Sequence, residues 1–277
     1  MLTFALLFAC TAEPPPPQSG SFTALTYNVQ GLPDAITEYA IPIEQRMGLI
    51  SPHLNDYDLV GLQEDFDDTH HGELVADATH PIQERFSAVV DDTRVYGSGL
   101  GQLARVGERV DAFTEHYTAC AGLLDGASDC LASKGFQVLR LRFGEAELDV
   151  YNTHHEAGGG PDDDTARSAQ VQQVITSMAT RSAGRAVLFM GDTNLAPSDP
   201  EDAVALQAYA DAGLRDACTE VACAEPDHID RFLLRDSDAL SLSVSGWSRE
   251  QGFVDDAEAA LSDHPPLQVT LAWEELR

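Results

Sequence analysis

Six short apolar stretches of this chain carry, at or near one end, a polar side chain suited to phosphate chemistry. Asn28 follows TALTY, Glu64 follows DLVGLQ, and His154 ends DVYNTH. Asp192 and Asn194 sit in LFMGDTN, Asp230 in DHIDRFLL, and Asp263 and His264 in LSDHPPLQVTL. Short Leu-rich or β-branched runs read as buried strands, so a polar group at the end projects from the rim of a sheet. Carboxylate and amide oxygens ligate hard divalent cations, and imidazole titrates near neutral pH. Such groups on one rim are what metal-assisted hydrolysis of a phosphate ester requires.

The residues also divide the work. His264 is the candidate general base, because an imidazole can take a proton from water at physiological pH. Asp263, its neighbour, points to the opposite side if the segment is extended. Asp192 and Asn194 are two apart and share a face. Glu64 ends a run too apolar for a carboxylate to be incidental there. Taken singly each residue is a weak signal, since strand-end Asn and Asp-x-Asn are also common turn formers.

In this order, from about Phe22 to Trp273, the six pieces resemble the endonuclease/exonuclease/phosphatase superfamily, the DNase I-like metal-dependent phosphoesterases. The resemblance implies a four-layer α/β/β/α sandwich, two packed mixed β-sheets flanked by helices. It implies Mg²⁺, with Mn²⁺ as a substitute, bound by Glu64 and Asp263, and Asn28 as a neutral oxygen ligand or an orienter. Asp230 would accept the other ring N–H of His264. Asp192 would position the water, Asn194 would donate to a non-bridging phosphate oxygen, and His154 would stabilise the phosphorane charge or help protonate the leaving oxygen.

The middle of the chain resembles one branch, the neutral sphingomyelinase group. The resemblance rests on GSGLG at 97–101, Cys120 and Cys130, the LASKGF run, the Thr153-His154-His155-Glu156-Ala157 segment and Arg167-x-x-Gln170. In that group a Lys-Gly-Phe-like strand start follows a loop carrying an Asp, here Asp129. Lys134 is the single lysine of the chain, and a contact with phosphate is expected of it. His155 is expected at the surface or rim, and His53, His70, His71, His80, His116 and His228 read as ordinary polar residues.

Composition bounds the rest. At 277 residues and 43% hydrophobic content the chain can bury the core of one large domain. Its 46 acidic against 16 basic residues give a net charge of −30. Such a surface repels polyanions, so nucleic acid is a handicapped substrate. The expected substrate is a phosphodiester of the phospholipid-headgroup kind. An exported DNase I-like nuclease is the alternative, and an inactive binding module a further one against which the complete residue set argues.

The first nine residues are apolar but too short to span a bilayer, which needs ~20 residues. Leu7-Phe8-Ala9-Cys10 resembles a bacterial lipobox, although no Lys or Arg precedes it. The expectation is an exported protein, extracellular or held to the membrane by lipid on Cys10, and acting as a monomer. It would comprise a signal segment at 1–10, a Pro-rich tether at 11–21 and a catalytic domain at 22–277. Four cysteines allow three pairings. The local one, Cys120–Cys130 with Cys218–Cys223, is simplest and suits an oxidising compartment, with four free thiols as the alternative.

The elements that must position these groups alternate along the chain. Strands are expected near Phe22–Val29, Leu59–Gln63, Phe86–Val90, Gly99–Arg105, Phe136–Phe143, Leu148–Thr153, Ala186–Met190, Ile229–Leu234, Leu240–Val244 and Leu267–Leu271. Helices are expected near Ile43–His53, Thr165–Arg181 and Glu201–Ala212. In the second helix Val171, Val174, Ile175 and Met178 share one apolar face.

Overall fold

Strand β1 (Ser19–Asn28) shows how the core is built. Phe22 and Ala24 point into a cluster shared by both sheets, while Leu25 and Tyr27 point the other way onto helix α1 (Ile43–Ile50). Both faces of a central strand are therefore buried, which is why its sequence reads as an apolar run rather than an alternation. The computed structural model describes residues 16–34, 41–122, 129–225 and 227–276. Cys10 and most of the expected tether lie outside them. β1 begins at Ser19 and pairs from that residue with Glu274, so the sheet takes in the last three residues of the stretch read as tether.

The remaining elements are β2 (Leu59–Gln63), α2 (Asp68–Leu74), β3 (Ile82–Phe86), β4 (Leu100–Ala104), β5 (Glu108–His116), β6 (Gly135–Phe143), β7 (Ala146–His154), α3 (Pro161–Thr180), β8 (Ala186–Asp192), α4 (Pro200–Asp211), β9 (Arg215–Asp216), α5 (Ala217–Glu220), β10 (Asp230–Arg235), β11 (Leu240–Arg249) and β12 (Leu267–Glu275). Sheet one has the order β11-β12-β1-β2-β4-β3 and sheet two the order β5-β6-β7-β8-β10-β9. They pack through Phe22, Leu141, Val150, Met190, Phe232 and Val269. Helices α1 and α2 contribute to the apolar cluster on the outer face of sheet one, and α3 and α4 to that of sheet two. This is the four-layer α/β/β/α sandwich expected of the chain.

Three differences have local causes. The strand expected at Phe86–Val90 lies earlier, because Val89 and Val90 are exposed in the loop that follows β3. β5 is an edge strand with no fully buried residue, so it offers no apolar run to read. α2 is set by a cap rather than a periodic face: the Asp67 carboxylate accepts from the backbone N–H groups of Thr69 and His70. In α3 Val171, Val174 and Met178 are buried, and Ile175 is half-buried at the margin of that face. No helix among the described residues is long and apolar enough to cross a membrane.

Candidate active site

Strand direction gathers the polar residues at one end. β1 and β2 run parallel and deliver Asn28 and Glu64 side by side. β7 and β8 also run parallel, with His154 in register with Asp192, and antiparallel β10 sets Asp230 opposite Asp192. The loop 261–266 returns over β1, where the Ser262 hydroxyl donates to the Asn28 carbonyl at 2.7 Å. Two parallel pairs in two facing sheets, with antiparallel β10 and the loop 261–266, thus bring residues more than two hundred positions apart to one rim.

Asn28 lies at its centre. Its Nδ2 donates to Glu64 Oε1 and to Asp192 Oδ2, each at 3.0 Å, while its Oδ1 accepts from the Gln30 backbone N–H at 2.9 Å. With its amide so placed, Asn28 orients two carboxylates, one from each sheet. Gln30 Nε2 in turn donates to Asp263 Oδ2 at 2.8 Å.

On the sheet-two side Lys134 is buried. Its Nζ pairs with Asp129 Oδ1 at 2.8 Å, donates to the His155 carbonyl at 2.8 Å and lies 3.1 Å from His154 Nε2. Burial first, and then the Lys134 charge, push the His154 pKa down to about 3, so the ring is neutral. The same Nε2 lies 3.4 Å from Asp192 Oδ2 and 3.9 Å from Glu64 Oε1. Asn194 donates Nδ2 to the His155 carbonyl at 3.2 Å, and its backbone N–H donates to Asp192 Oδ1 at 3.0 Å.

His264 Nδ1 meets Asp230 Oδ2 at 2.9 Å, and its Nε2 lies 3.7 Å from Asp192 Oδ2. Burial disfavours the imidazolium, but the Asp230 hydrogen bond and the charges of Asp230, Asp192 and Asp263 outweigh it and raise the pKa. Asp192, Asp230 and His264 bring donor atoms within 4.8 Å of one another. Since His264 and Asp230 already bond each other, that trio reads better as a proton-transfer unit than as a ligand set. A second trio, Asp216, Cys218 and His228, has its sulfur in a disulfide.

Glu64 is the better locus for a cation. Its Oε2 is buried with no hydrogen-bond partner, and burial raises its pKa, which marks a carboxylate short of positive charge. Glu64 and Asp263 offer only oxygen donors, the set that suits Mg²⁺ or Mn²⁺, so the residues fit that class of ion.

All the rim residues expected from the sequence, Asn28, Glu64, Lys134, His154, Asp192, Asn194, Asp230, Asp263 and His264, lie in or beside this network. His155 does not lie at the rim. It is fully buried on the opposite face of its strand, with Nε2 2.8 Å from the Tyr209 hydroxyl, because a period of two turns successive residues to opposite faces. Gln30 and Ser262 were not foreseen, and nothing in a lone Gln or Ser distinguishes them before the loops are placed. The structure pairs Cys120 with Cys130 and Cys218 with Cys223.

Comparison with known proteins gives three findings. The profile described as the Endonuclease/Exonuclease/phosphatase family matches residues 25–264. A protein of Mycobacterium bovis named sphingomyelinase is 30% identical over 271 residues, covering 91% of this chain and 52% of its own length, as is one of Mycobacterium tuberculosis. The chain thus spans about half the length of the curated relatives it matches. Among solved structures, a Staphylococcus aureus beta toxin variant with bound magnesium ions superposes with a TM-score of 0.67 at 16% identity, covering 90% of this chain and 99% of the toxin chain. TDP2 of D. rerio with a single-strand DNA product superposes at 0.69 and 18% identity, covering 91% and 98%. These two likenesses concern the fold.

Proposed function

Because the chain belongs to the endonuclease/exonuclease/phosphatase family, we propose that it is an exported, Mg²⁺-dependent phosphodiesterase that cleaves a phospholipid headgroup in the manner of a sphingomyelinase C. The observation that carries the reading is a buried, unpartnered Glu64 oxygen on the same rim as the His264–Asp230 pair. The sphingomyelinases at 30% identity support the substrate class, and the net charge of −30 disfavours a polyanion. The two disulfides support export. Lipid on Cys10 remains part of the proposal.

Asp230 Oδ2 accepts the Nδ1 proton of His264, and Nε2 can take a proton from water once a bound cation has brought down the ring's raised pKa. Asp192, 3.7 Å from that nitrogen, holds the water between them. Asn194 has a second Nδ2 proton for a non-bridging phosphate oxygen. Lys134 sets a fixed positive charge behind neutral His154, where charge develops on the phosphorane and the leaving oxygen. A divalent cation held by Glu64 and Asp263 would polarise the phosphoryl group and, by its charge, lower the affinity of nearby His264 for its proton.

The test is to assay the purified full chain with Mg²⁺ against sphingomyelin vesicles, bis-p-nitrophenyl phosphate and plasmid DNA. Release of phosphocholine, abolished by EDTA and restored by Mg²⁺, is expected. Activity that survives exhaustive EDTA treatment overturns the metal requirement, preferential cleavage of DNA overturns the lipid substrate, and no turnover of any of the three overturns the enzyme.

A further inference from the structure

Glu64 adopts φ 59°, the left-handed region that a side chain other than glycine rarely enters. Such a conformation persists only where its surroundings over-determine it, and here they grip it from both sides. On the β1 side the Glu64 carbonyl accepts from the Gly31 N–H at 3.1 Å, an approach so close that a Cβ at Gly31 would lie 2.1 Å from that oxygen. On the other side stands Asp65, 3% exposed, although a carboxylate after a strand end ordinarily faces solvent. Its Oδ2 meets His71 Nδ1 at 2.6 Å and accepts from Arg85 Nε at 3.2 Å. Arg85 Nη2 donates to the Asp65 backbone carbonyl at 3.1 Å, and Nη1 pairs with Asp68. The Asp65 N–H donates to the Gly99 carbonyl at 2.9 Å.

One guanidinium thus holds the side chain and the backbone of the residue next to Glu64, and joins β3 to the start of α2. We propose that Arg85, assisted by His71, is a positioning residue for the cation site: by clamping Asp65 it fixes the left-handed turn that aims the Glu64 carboxylate. Arg85 bonds Asp65 and Asp68 rather than the Glu64 carboxylate, so it acts through the turn. Lysine is no equivalent, because an ammonium lacks the planar fork that reaches carboxylate and carbonyl together. The inference rests on the reading of Glu64 as a cation ligand.

The experiment measures Mn²⁺ binding by electron paramagnetic resonance on the full chain, as wild type, Arg85→Met, Arg85→Lys and Glu64→Gln. Thermal unfolding in EDTA reports folding separately. Loss of a residue that orients a ligand weakens metal binding by about 10–100-fold. That weakening is expected for Arg85→Met, with a smaller one for Arg85→Lys, and kcat at saturating cation should stay within a few-fold of wild type. A folded Arg85→Met that binds Mn²⁺ as wild type does, while Glu64→Gln does not, overturns the clamp alone. If Arg85→Met fails to fold, unchanged binding by Arg85→Lys overturns it equally. If Glu64→Gln also binds unchanged, the cation reading falls and takes the clamp with it.

Discussion

Sheet two brings Lys134, His154, Asp192 and Asp230 to the rim at 6%, 3%, 1% and 4% exposure, whereas of the rim side chains from sheet one and its loop only Asn28 is fully buried and the charged ones remain more open. Glu64 and His264 keep 15% and 17% of their side-chain surface, and Asp263 is exposed. Charge follows the same division. In the buried half Lys134 answers Asp129, and Asp192 takes hydrogen bonds from both Asn28 and Asn194. In the open half Glu64 keeps an oxygen with no partner. The buried half resembles a preorganised receptor for phosphate, whose dipoles need not reorganise during reaction. The open half is arranged to receive something from solvent. Substitutions on both sides test whether the division is real.

The largest effect is expected where the halves meet, at the bond between His264 and Asp230. His264→Ala should lower kcat on bis-p-nitrophenyl phosphate by ~10²–10⁴, the usual worth of a general base. Asp230→Asn should lose much of the same factor. The double variant should be little worse than His264→Ala, since groups acting as one unit are not additive. Retention of most activity by His264→Ala would remove the dyad from the mechanism.

Within the buried half, Lys134→Met leaves Asp129 without its cation in a low-dielectric setting. Breaking one side of a buried pair costs about 3–5 kcal/mol, and urea denaturation should register it. Asp129→Asn added to Lys134→Met should recover part of the loss. Equal stability of Lys134→Met and wild type would show that this half is not held by its charges. In the open half Glu64→Gln should barely change folding in EDTA. It should raise the Mg²⁺ concentration for half-maximal activity by roughly 10–100-fold and be partly rescued by excess Mg²⁺. Failure of added Mg²⁺ to rescue any activity would place Glu64 in the chemistry rather than in cation binding.

The same division explains what the sequence could disclose. The strand-end residues were legible because a buried strand must be apolar, so Glu64 after Leu59–Gln63 and His154 at the end of β7 stand out against their runs. The four layers followed from resemblance rather than from periodicity, since α2 and edge strand β5 left no apolar signal. Asp65 could pass for a solvated acid beside a ligand. It is buried and paired because β3 carries Arg85 to it from twenty positions away and α2 sets His71 against it. His155 was misplaced for the converse reason. Alternation gave its side of the strand, but not that Tyr209 of α4 would cover that side. Side chains that act from within their own run can be read in advance, whereas those that act across loops wait for the fold.

The smallest effect concerns Glu156, behind the buried half. Its carboxylate accepts from the Ala121 N–H at 2.8 Å and from Gln170 Nε2 at 3.0 Å. Burial, and then the charge of Asp129, raise its pKa from 4.5 to about 7. A group whose pKa is higher folded than unfolded holds its proton more tightly in the native state. Its stabilising contribution is therefore complete below pH about 4.5, declines as pH rises and is lost above about 7. Glu156→Gln removes the titration, so the stability of wild type relative to the variant should fall by on the order of 1 kcal/mol across that interval. Glu64 shares the direction of shift, but it faces the cation site. Mg²⁺ should leave the Glu156-dependent difference unchanged while reducing any contribution from Glu64. Urea denaturation from pH 4.5 to 7.5, with and without Mg²⁺, separates the two carboxylates. Parallel stability curves for wild type and Glu156→Gln would mean that Glu156 stays charged, and that the buried half tolerates an anion for which the hydrogen bonds from Ala121 and Gln170 suffice.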